Sequence, residues 1–172
     1  MERVRRKCLC FFVIALTLCL FGCEGALQIE DFRPYGFRAQ AVIHRGEDEA
    51  QVLLSVSSPK NGTRSVAVEW LAPEDLCGLR ICVEGEHCLA MWYGMEVECG
   101  PLRSAVGDWD DFLSEGEWGV PARTEYRGRE AILVELPGEG ERCLYMDREG
   151  KIPLGMRIDD VEWEFLSYER VE

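Results

Sequence analysis

The chain has 172 residues, of which 47% are hydrophobic, and it carries 19 basic against 32 acidic residues for a net charge of −13. So many apolar residues exclude a disordered tail, and this length suits one folded domain. The acidic excess argues against binding to nucleic acid and against attraction to an anionic lipid surface, because both need clustered Lys and Arg.

The first 22 residues are typical of an export signal, with a basic start and an apolar run from Cys8 to Phe21 that is too short to span a membrane. The end of this segment and the next residue, Leu20-Phe21-Gly22-Cys23, resemble the bacterial lipobox. This resemblance implies cleavage before Cys23, diacylglyceryl modification of its thiol, and anchoring to the extracytoplasmic side of a bacterial membrane. We expect residues 23–34 to form a lipidated tether, and the mature part to keep 15 basic and 31 acidic residues, a charge of −16.

From residue 35 to residue 172 the sequence predicts one mainly β domain. Short segments alternate apolar and polar residues, as strands with one wet face do. Phe37, Ala39, Ala41 and Ile43, for example, share one face of the first segment. The predicted strands are 37–44, 51–57, 65–70, 79–83, 87–93, 95–99, 122–126, 129–136, 142–147, 153–158 and 161–167.

Turn residues separate these strands, among them Asn61-Gly62, a favoured type I′ hairpin pair, and Arg127-Gly128. Short connections favour antiparallel neighbours, so the simplest arrangement is a meander. About ten or eleven strands are too many for a flat sheet, and we expect the sheet to curl into a half-barrel.

One segment, 102–113, has helical instead of strand periodicity. Its apolar residues recur every three or four positions, with acids on the opposite side. We predict one amphipathic helix that fills the concave side of the curled sheet. Its apolar positions are Leu102, Val106, Trp109, Phe112 and Leu113.

Five cysteines lie in the predicted domain: Cys77, Cys82, Cys88, Cys99 and Cys143. An exported protein can form disulfides, whereas a host without an oxidation system would leave all five reduced. A three-residue turn at residues 84–86 would place Cys82 opposite Cys88, which makes this pair the candidate disulfide. A metal site formed by Cys77, Cys82, His87 and Cys88 is the competing interpretation. It lacks the C-x2-C spacing of structural zinc sites, and His87 would face away from Cys88.

The sequence contains no recognisable catalytic motif, cofactor fingerprint or metal-binding motif. Its two histidines, His44 and His87, lie in predicted strands without a Ser-His-Asp or Cys-His setting. The acidic pairs Asp110-Asp111 and Asp159-Asp160 fit surface charges better than a calcium site or a glycosidase couple. We therefore expect a protein that is not an enzyme and needs no cofactor.

The lipobox, the long antiparallel meander and the inserted helix together resemble the half-barrel lipoproteins related to the carriers LolA and LolB. Two local segments add to this resemblance: a strand, connection and hairpin over 65–94, and a turn of the form D-x-x-G-x-P at 147–153. The resemblance implies a concave face that binds an acyl chain, another lipid or an apolar partner segment. Its lining would comprise Trp70, Trp92, Trp109, Phe112, Trp163 and Phe165.

The alternative is a structural assembly factor of the cell envelope. In that case the helix permanently fills the groove, and the acidic surface docks a basic partner protein.

The chain also departs from the soluble LolA carrier, because it carries its own lipidation motif and lacks the basic residues that this carrier uses.

Overall fold

A computed structural model describes residues 27–60, 63–100, 106, 109, 113, 116–138 and 140–171. The signal segment, Cys23, the Asn61-Gly62 pair and Phe112 lie outside these residues. The described residues form eleven β-strands and one short 3-10 helix, η1 at Glu74–Leu76. The strands are β1 Gly36–Arg45, β2 Asp48–Val56, β3 Ser65–Ala72, β4 Arg80–Glu84, β5 His87–Trp92, β6 Met95–Glu98, β7 Ala122–Tyr126, β8 Arg129–Glu135, β9 Arg142–Asp147, β10 Pro153–Ile158 and β11 Val161–Val171.

The prediction of a mainly β, antiparallel, curled sheet is confirmed. All eleven predicted strands occur, and most of their ends agree within one or two residues. The last strand is longer than predicted and continues to Val171, because it pairs with β1 along the whole length of that strand. In the predicted helical segment, the described residues Val106, Trp109 and Leu113 are helical and buried.

The strand order is β6-β5-β4-β3-β2-β1-β11-β10-β9-β8-β7, so consecutive strands are neighbours, as in a meander, except β6 and β7. The sheet consists of two meanders, β1 to β6 and β7 to β11, joined by the pairing of β1 with β11. The edge strands β6 and β7 do not pair, and the sheet stays open. The chain between them, residues 99–121, must therefore pass from one edge to the other. We call it the crossover segment.

Three β-bulges interrupt the strand pairing. Ser167 and Phe165 face consecutive residues of β1, which makes Leu166 the extra residue, and the same pattern makes Leu71 and Leu154 extra. Each bulge increases the local twist and bends its strand, which favours a curled sheet. A bulged residue is left without a partner position, and this explains two exposed leucines, Leu71 and Leu166.

The core lies on one face of the sheet, which we call the inner face. Inward positions alternate along the strands, as in Val52, Leu54 and Val56 of β2 or Leu144 and Met146 of β9. Helical Val106, Trp109 and Leu113 belong to the same buried cluster. The described helical residues of the crossover segment thus lie on the inner face. Among the described residues there is no helix long and apolar enough to span a membrane.

The domain begins earlier than predicted. Phe32, which the sequence analysis placed in the tether, is only 1% exposed and belongs to the core. The Glu30 amide donates a hydrogen bond to the Gly150 carbonyl at 2.7 Å, and Leu27 and Ile29 pack against the core. The boundary at residue 34 was therefore wrong, because the apolar residues before it pack on the inner face.

Replacement of Leu54 tests the importance of inner-face packing. Leu54 lies in the middle of β2 with 0% exposure, so Leu54→Ala should destabilise the domain by about 2–5 kcal/mol. The matched control is Leu166→Ala, since Leu166 is 53% exposed, and it should change stability by less than about 0.5 kcal/mol. Urea unfolding followed by circular dichroism measures both, and equal losses would contradict this assignment of the core.

Candidate functional site

The centre of the inner face is an aromatic cluster built around Trp109. The Trp109 ring lies 5.3 Å from Trp163 in an edge-to-face arrangement, 5.8 Å from Phe165 and 6.0 Å from Phe37. Such aromatic pairs stabilise a core by more than the burial of their area alone. Trp109 is 1% exposed, so a residue of the crossover segment packs over the paired strands β1 and β11 on the inner face.

The N-terminal segment extends this cluster. Phe32 contacts Phe37 at 5.7 Å and Trp118 at 5.8 Å, which connects the start of the domain to the end of the crossover segment. The Arg33 guanidinium stacks 4.6 Å from the centre of the Trp118 ring and donates a 2.7 Å hydrogen bond to the Gly116 carbonyl. These contacts hold the far end of the crossover segment against the sheet.

The structure brings together only part of the predicted lining. Trp109 contacts both Trp163 and Phe165, and Trp70 packs half-buried against the same core. Trp92 does not join them. It is the last residue of β5, and its ring centre lies 5.1 Å from that of the exposed Tyr93 in a tilted arrangement. Its Nε1 donates a hydrogen bond to the Cys77 carbonyl. Phe112 lies outside the described residues.

The predicted disulfide between Cys82 and Cys88 was wrong in its register. The β4–β5 turn contains two residues, Gly85 and Glu86, instead of three. Cys82 therefore lies opposite Leu89, and Cys88 lies opposite Val83. A shift of one residue sends a strand side chain to the other face, so Cys88 points into the core and Cys82 points away from it.

The outer face of the sheet carries a polar cluster that the sequence analysis missed. The turn between β7 and β8 folds over β10 and β11, where the Tyr126 hydroxyl donates a hydrogen bond to Glu162 at 3.0 Å. Arg127 forms ion pairs with Glu162 at 3.1 Å and Glu164 at 2.7 Å. Arg157 approaches the second oxygen of Glu162 at 3.4 Å. We call Tyr126, Arg127, Arg157, Glu162 and Glu164 the outer polar cluster.

A glycine makes room for this arrangement. A Cβ atom on Gly155 would clash with the Tyr126 hydroxyl and would lie 2.8 Å from the Trp163 carbonyl, so only glycine allows this close approach. The hairpin tip also depends on positive φ at Arg127 and Gly128, as the predicted Arg127-Gly128 turn requires. The sequence analysis predicted the Arg127-Gly128 turn but not the contact of Tyr126 with Gly155, which lies on a strand far away in the sequence.

The charges of the outer polar cluster shift its titration. Burial alone would raise the pKa of the Glu162 carboxyl, but hydrogen bonds from Tyr126 and Arg127 outweigh it and hold the pKa below the ordinary 4.5. Burial, followed by the Glu162 charge, raises the pKa of Tyr126, and burial together with Cys143 raises the pKa of Tyr145 to about 12. Both phenols stay protonated at neutral pH, so this cluster is suited to fastening a hairpin and not to removing protons.

The other polar features of the described residues are scattered. His44 lies 3.5 Å from Glu164 and 3.8 Å from Glu49, whereas His87 is exposed and lies 3.9 Å from Glu98. No three His, Cys, Asp or Glu residues among the described positions are grouped to hold a metal ion. A cavity of about 280 Å³ lies apart from the aromatic cluster, lined by Arg123, Thr124, Glu130, Ala131, Ile132 and Arg148.

Solved structures share this fold. An uncharacterized conserved protein from Thermus thermophilus aligns with a TM-score of 0.54 and 15% identity over 81% of this chain and 80% of its own. MucB aligns with a TM-score of 0.50 and 11% identity over 81% of this chain and 55% of its own length. This chain thus spans about half of MucB. At these identities the likeness shows the fold alone.

A LolA superfamily protein from Nitrosomonas europaea is also similar, at 9% identity over 87% of this chain and 91% of its own. Its TM-score of 0.43 is too low to support an argument about this chain. No protein-family model and no curated protein matches the sequence.

Replacement of Glu162 tests the outer polar cluster. Its folded-state pKa is lowered, so its ionised form stabilises the domain above about pH 4.5, and this contribution is lost as the pH falls further. Glu162→Gln should cost about 1–2 kcal/mol at pH 7 and should flatten the loss of stability in acid. The control is Glu169→Gln, an exposed carboxylate in the same strand, which should keep the parental profile. Urea midpoints between about pH 3 and pH 7 measure this, and parallel profiles for both variants would contradict the role.

Proposed function

We propose that this chain is a lipid-anchored, extracytoplasmic, non-enzymatic domain that binds an apolar ligand, an acyl chain or an apolar partner segment, on its inner face. The observation that carries the proposal is the position of Trp109. A side chain from outside the sheet sits fully buried among Phe37, Trp163 and Phe165. The inner face therefore has the shape and chemistry to accept an apolar group. In this structure Trp109 of the crossover segment occupies that position.

Access to the inner face follows from the topology. The crossover segment leaves the sheet at β6 and returns at β7, and these two edge strands are not joined. Trp109 can leave the inner face without breaking the strand pairing, because the contacts described for it are contacts between aromatic side chains. A ligand that replaces Trp109 would again bury the apolar residues of the inner face, which offsets part of the cost of displacing Trp109.

The anchor would hold the domain close to the membrane. Between Cys23 and the packed residue Leu27 there are only four Cα steps, which span at most about 14 Å. The adjoining β9–β10 turn contacts the start of the domain through the hydrogen bond between Glu30 and Gly150. We expect this end to face the membrane while the acidic body, which an anionic surface repels, extends away from it.

Replacement of Cys23 tests the anchor. Full-length wild-type chain expressed in a bacterium should be processed, acylated and recovered with membranes, because two or more acyl chains anchor stably. Cys23→Ala should give an unacylated product that leaves the membrane fraction. Intact-mass spectrometry and detergent partitioning measure both properties. Identical lipid-free products from both chains would contradict the anchor without touching the ligand proposal.

Ligand binding is best tested in the Cys23→Ala chain, which has no covalent lipid. Trp109→Phe should vacate volume in the aromatic cluster and raise the affinity for cis-parinaric acid several-fold, measured by the emission of this fatty acid. Trp92→Phe is the matched control, because Trp92 lies at the end of β5 away from the aromatic cluster, and it should bind like the parent. Circular dichroism confirms that both variants are folded.

Lipid extraction and mass spectrometry of the purified parent complete this test. Copurifying acyl lipids support the ligand proposal. An absence of fatty-acid binding in all three proteins, together with lipid-free extracts, would refute it.

The second candidate function is an envelope assembly factor with a permanently filled inner face. The burial of Trp109 favours it, and so does the acidic β6 edge, where Glu96 and Glu98 are exposed. A basic partner would complement the −16 charge of the mature part. This candidate predicts the lipid-free result above, and in addition a partner interaction that weakens steeply with salt.

A further inference from the structure

Two buried cysteines lie side by side at the β6 end of the sheet. Cys88 belongs to β5, and Cys99 directly follows β6. The β5–β6 register pairs Leu89 with Glu98 and so places Cys88 opposite Cys99. The Cys99 amide donates a hydrogen bond to the Cys88 carbonyl at 2.8 Å, and the two Sγ atoms lie 3.4 Å apart.

The geometry of this pair suits a covalent bond. Opposite residues of a hydrogen-bonded antiparallel pair have Cα atoms about 5.5 Å apart, within the usual range for disulfides. Both side chains point into the core, with Cys88 2% and Cys99 9% exposed. Small side-chain rotations would therefore bring the sulfur atoms to bonding distance while the backbone stays in place.

The other three cysteines are placed differently. Cys77 is exposed beside η1, Cys82 lies opposite Leu89 on the outer face of β4, and Cys143 lies in β9, in the other meander. The structure thus separates one close pair from three single thiols. This division fits the odd number of five cysteines in the domain.

We propose that Cys88 and Cys99 form a disulfide by exchange with a small-molecule or protein disulfide in an oxidising compartment. The Cys99 thiolate, the more exposed of the two, attacks the partner disulfide and releases one partner thiol. The Cys88 thiolate then attacks the Cys99 sulfur of the mixed disulfide and releases the second partner thiol. Two electrons pass to the partner, whose two released thiolates take up the two protons that the cysteine thiols gave up.

This disulfide would hold an exposed edge of the sheet. All four residues of β6 are exposed, and β6 has a neighbour strand on one side only. The bond closes the chain from β5 to the first residue of the crossover segment. It thereby restrains both the fraying of β6 and the point at which the crossover segment leaves the sheet.

Peptide mapping of the wild-type chain tests the proposal without any variant. Full-length protein is exported by a bacterium with an oxidising envelope, alkylated during lysis and digested with a protease that cleaves after glutamate. The digest separates the cysteines: peptide 75–84 contains Cys77 and Cys82, 87–96 contains Cys88, 99–115 contains Cys99, and 142–149 contains Cys143. The expected result is a reducible species joining 87–96 to 99–115.

Two variants give the matched comparison. Cys99→Ser should abolish the linked species and the rise in thermal midpoint that oxidation gives the wild-type chain. Cys82→Ser should keep both. Alkylated thiols at both Cys88 and Cys99 after incubation with excess oxidised glutathione, or linkage of Cys88 to another cysteine, would overturn the proposal. The result is independent of lipid binding, so either proposal can fail alone.

Discussion

The pairing of β1 with β11 determines how every other part of the molecule is placed. These strands come from opposite ends of the domain and run antiparallel from Gly36 opposite Val171 to Arg45 opposite Val161. Their pairing makes one sheet from two meanders, each of which would otherwise expose a long edge and an apolar face. The bulge at Leu166 lies within this seam and adds twist where the two halves meet. Curvature and continuity of the inner face therefore arise at the same place.

The same pairing decides what happens on the inner face. Because β1 and β11 lie in the middle, the chain must travel from β6 at one edge to β7 at the other. Trp109 and Trp118 lie on this path and meet residues of β11, β1 and the N-terminal segment. The same side chains therefore complete the core and occupy the concave side. Any ligand of this face competes with the protein's own side chains, and its affinity is reduced by the cost of displacing them.

The outer face is organised by the pairing of charges. The chain is strongly acidic, yet Glu162 and Glu164 are matched by Arg127 and Arg157 at hydrogen-bonding distance. Partly desolvated carboxylates need such partners, and here the partners also fasten the β7–β8 hairpin over β10 and β11. The excess negative charge lies elsewhere, including the exposed β6 edge with Glu96 and Glu98. A surface for a cationic partner is therefore better sought at that edge than in the middle of the outer face.

Local patterns were sufficient to predict the strands, most turns and the helical character of the segment around Trp109, because alternation and helical spacing involve only residues close together in the chain. The grouping of Trp109, Trp163 and Phe165 in one lining came from the family resemblance and not from these patterns. Local patterns could not predict the β1–β11 seam, since no local pattern records which distant edges meet.

Two errors have the same origin. A one-residue error in the turn at Gly85 placed Cys82 and Cys88 on the same face, although they lie on opposite faces. Trp92 lies apart from the other tryptophans because it ends β5 beside the exposed Tyr93. Strand order, bulges and contacts such as Tyr126 over Gly155 were settled by the folded chain alone, because each depends on residues far apart in the sequence.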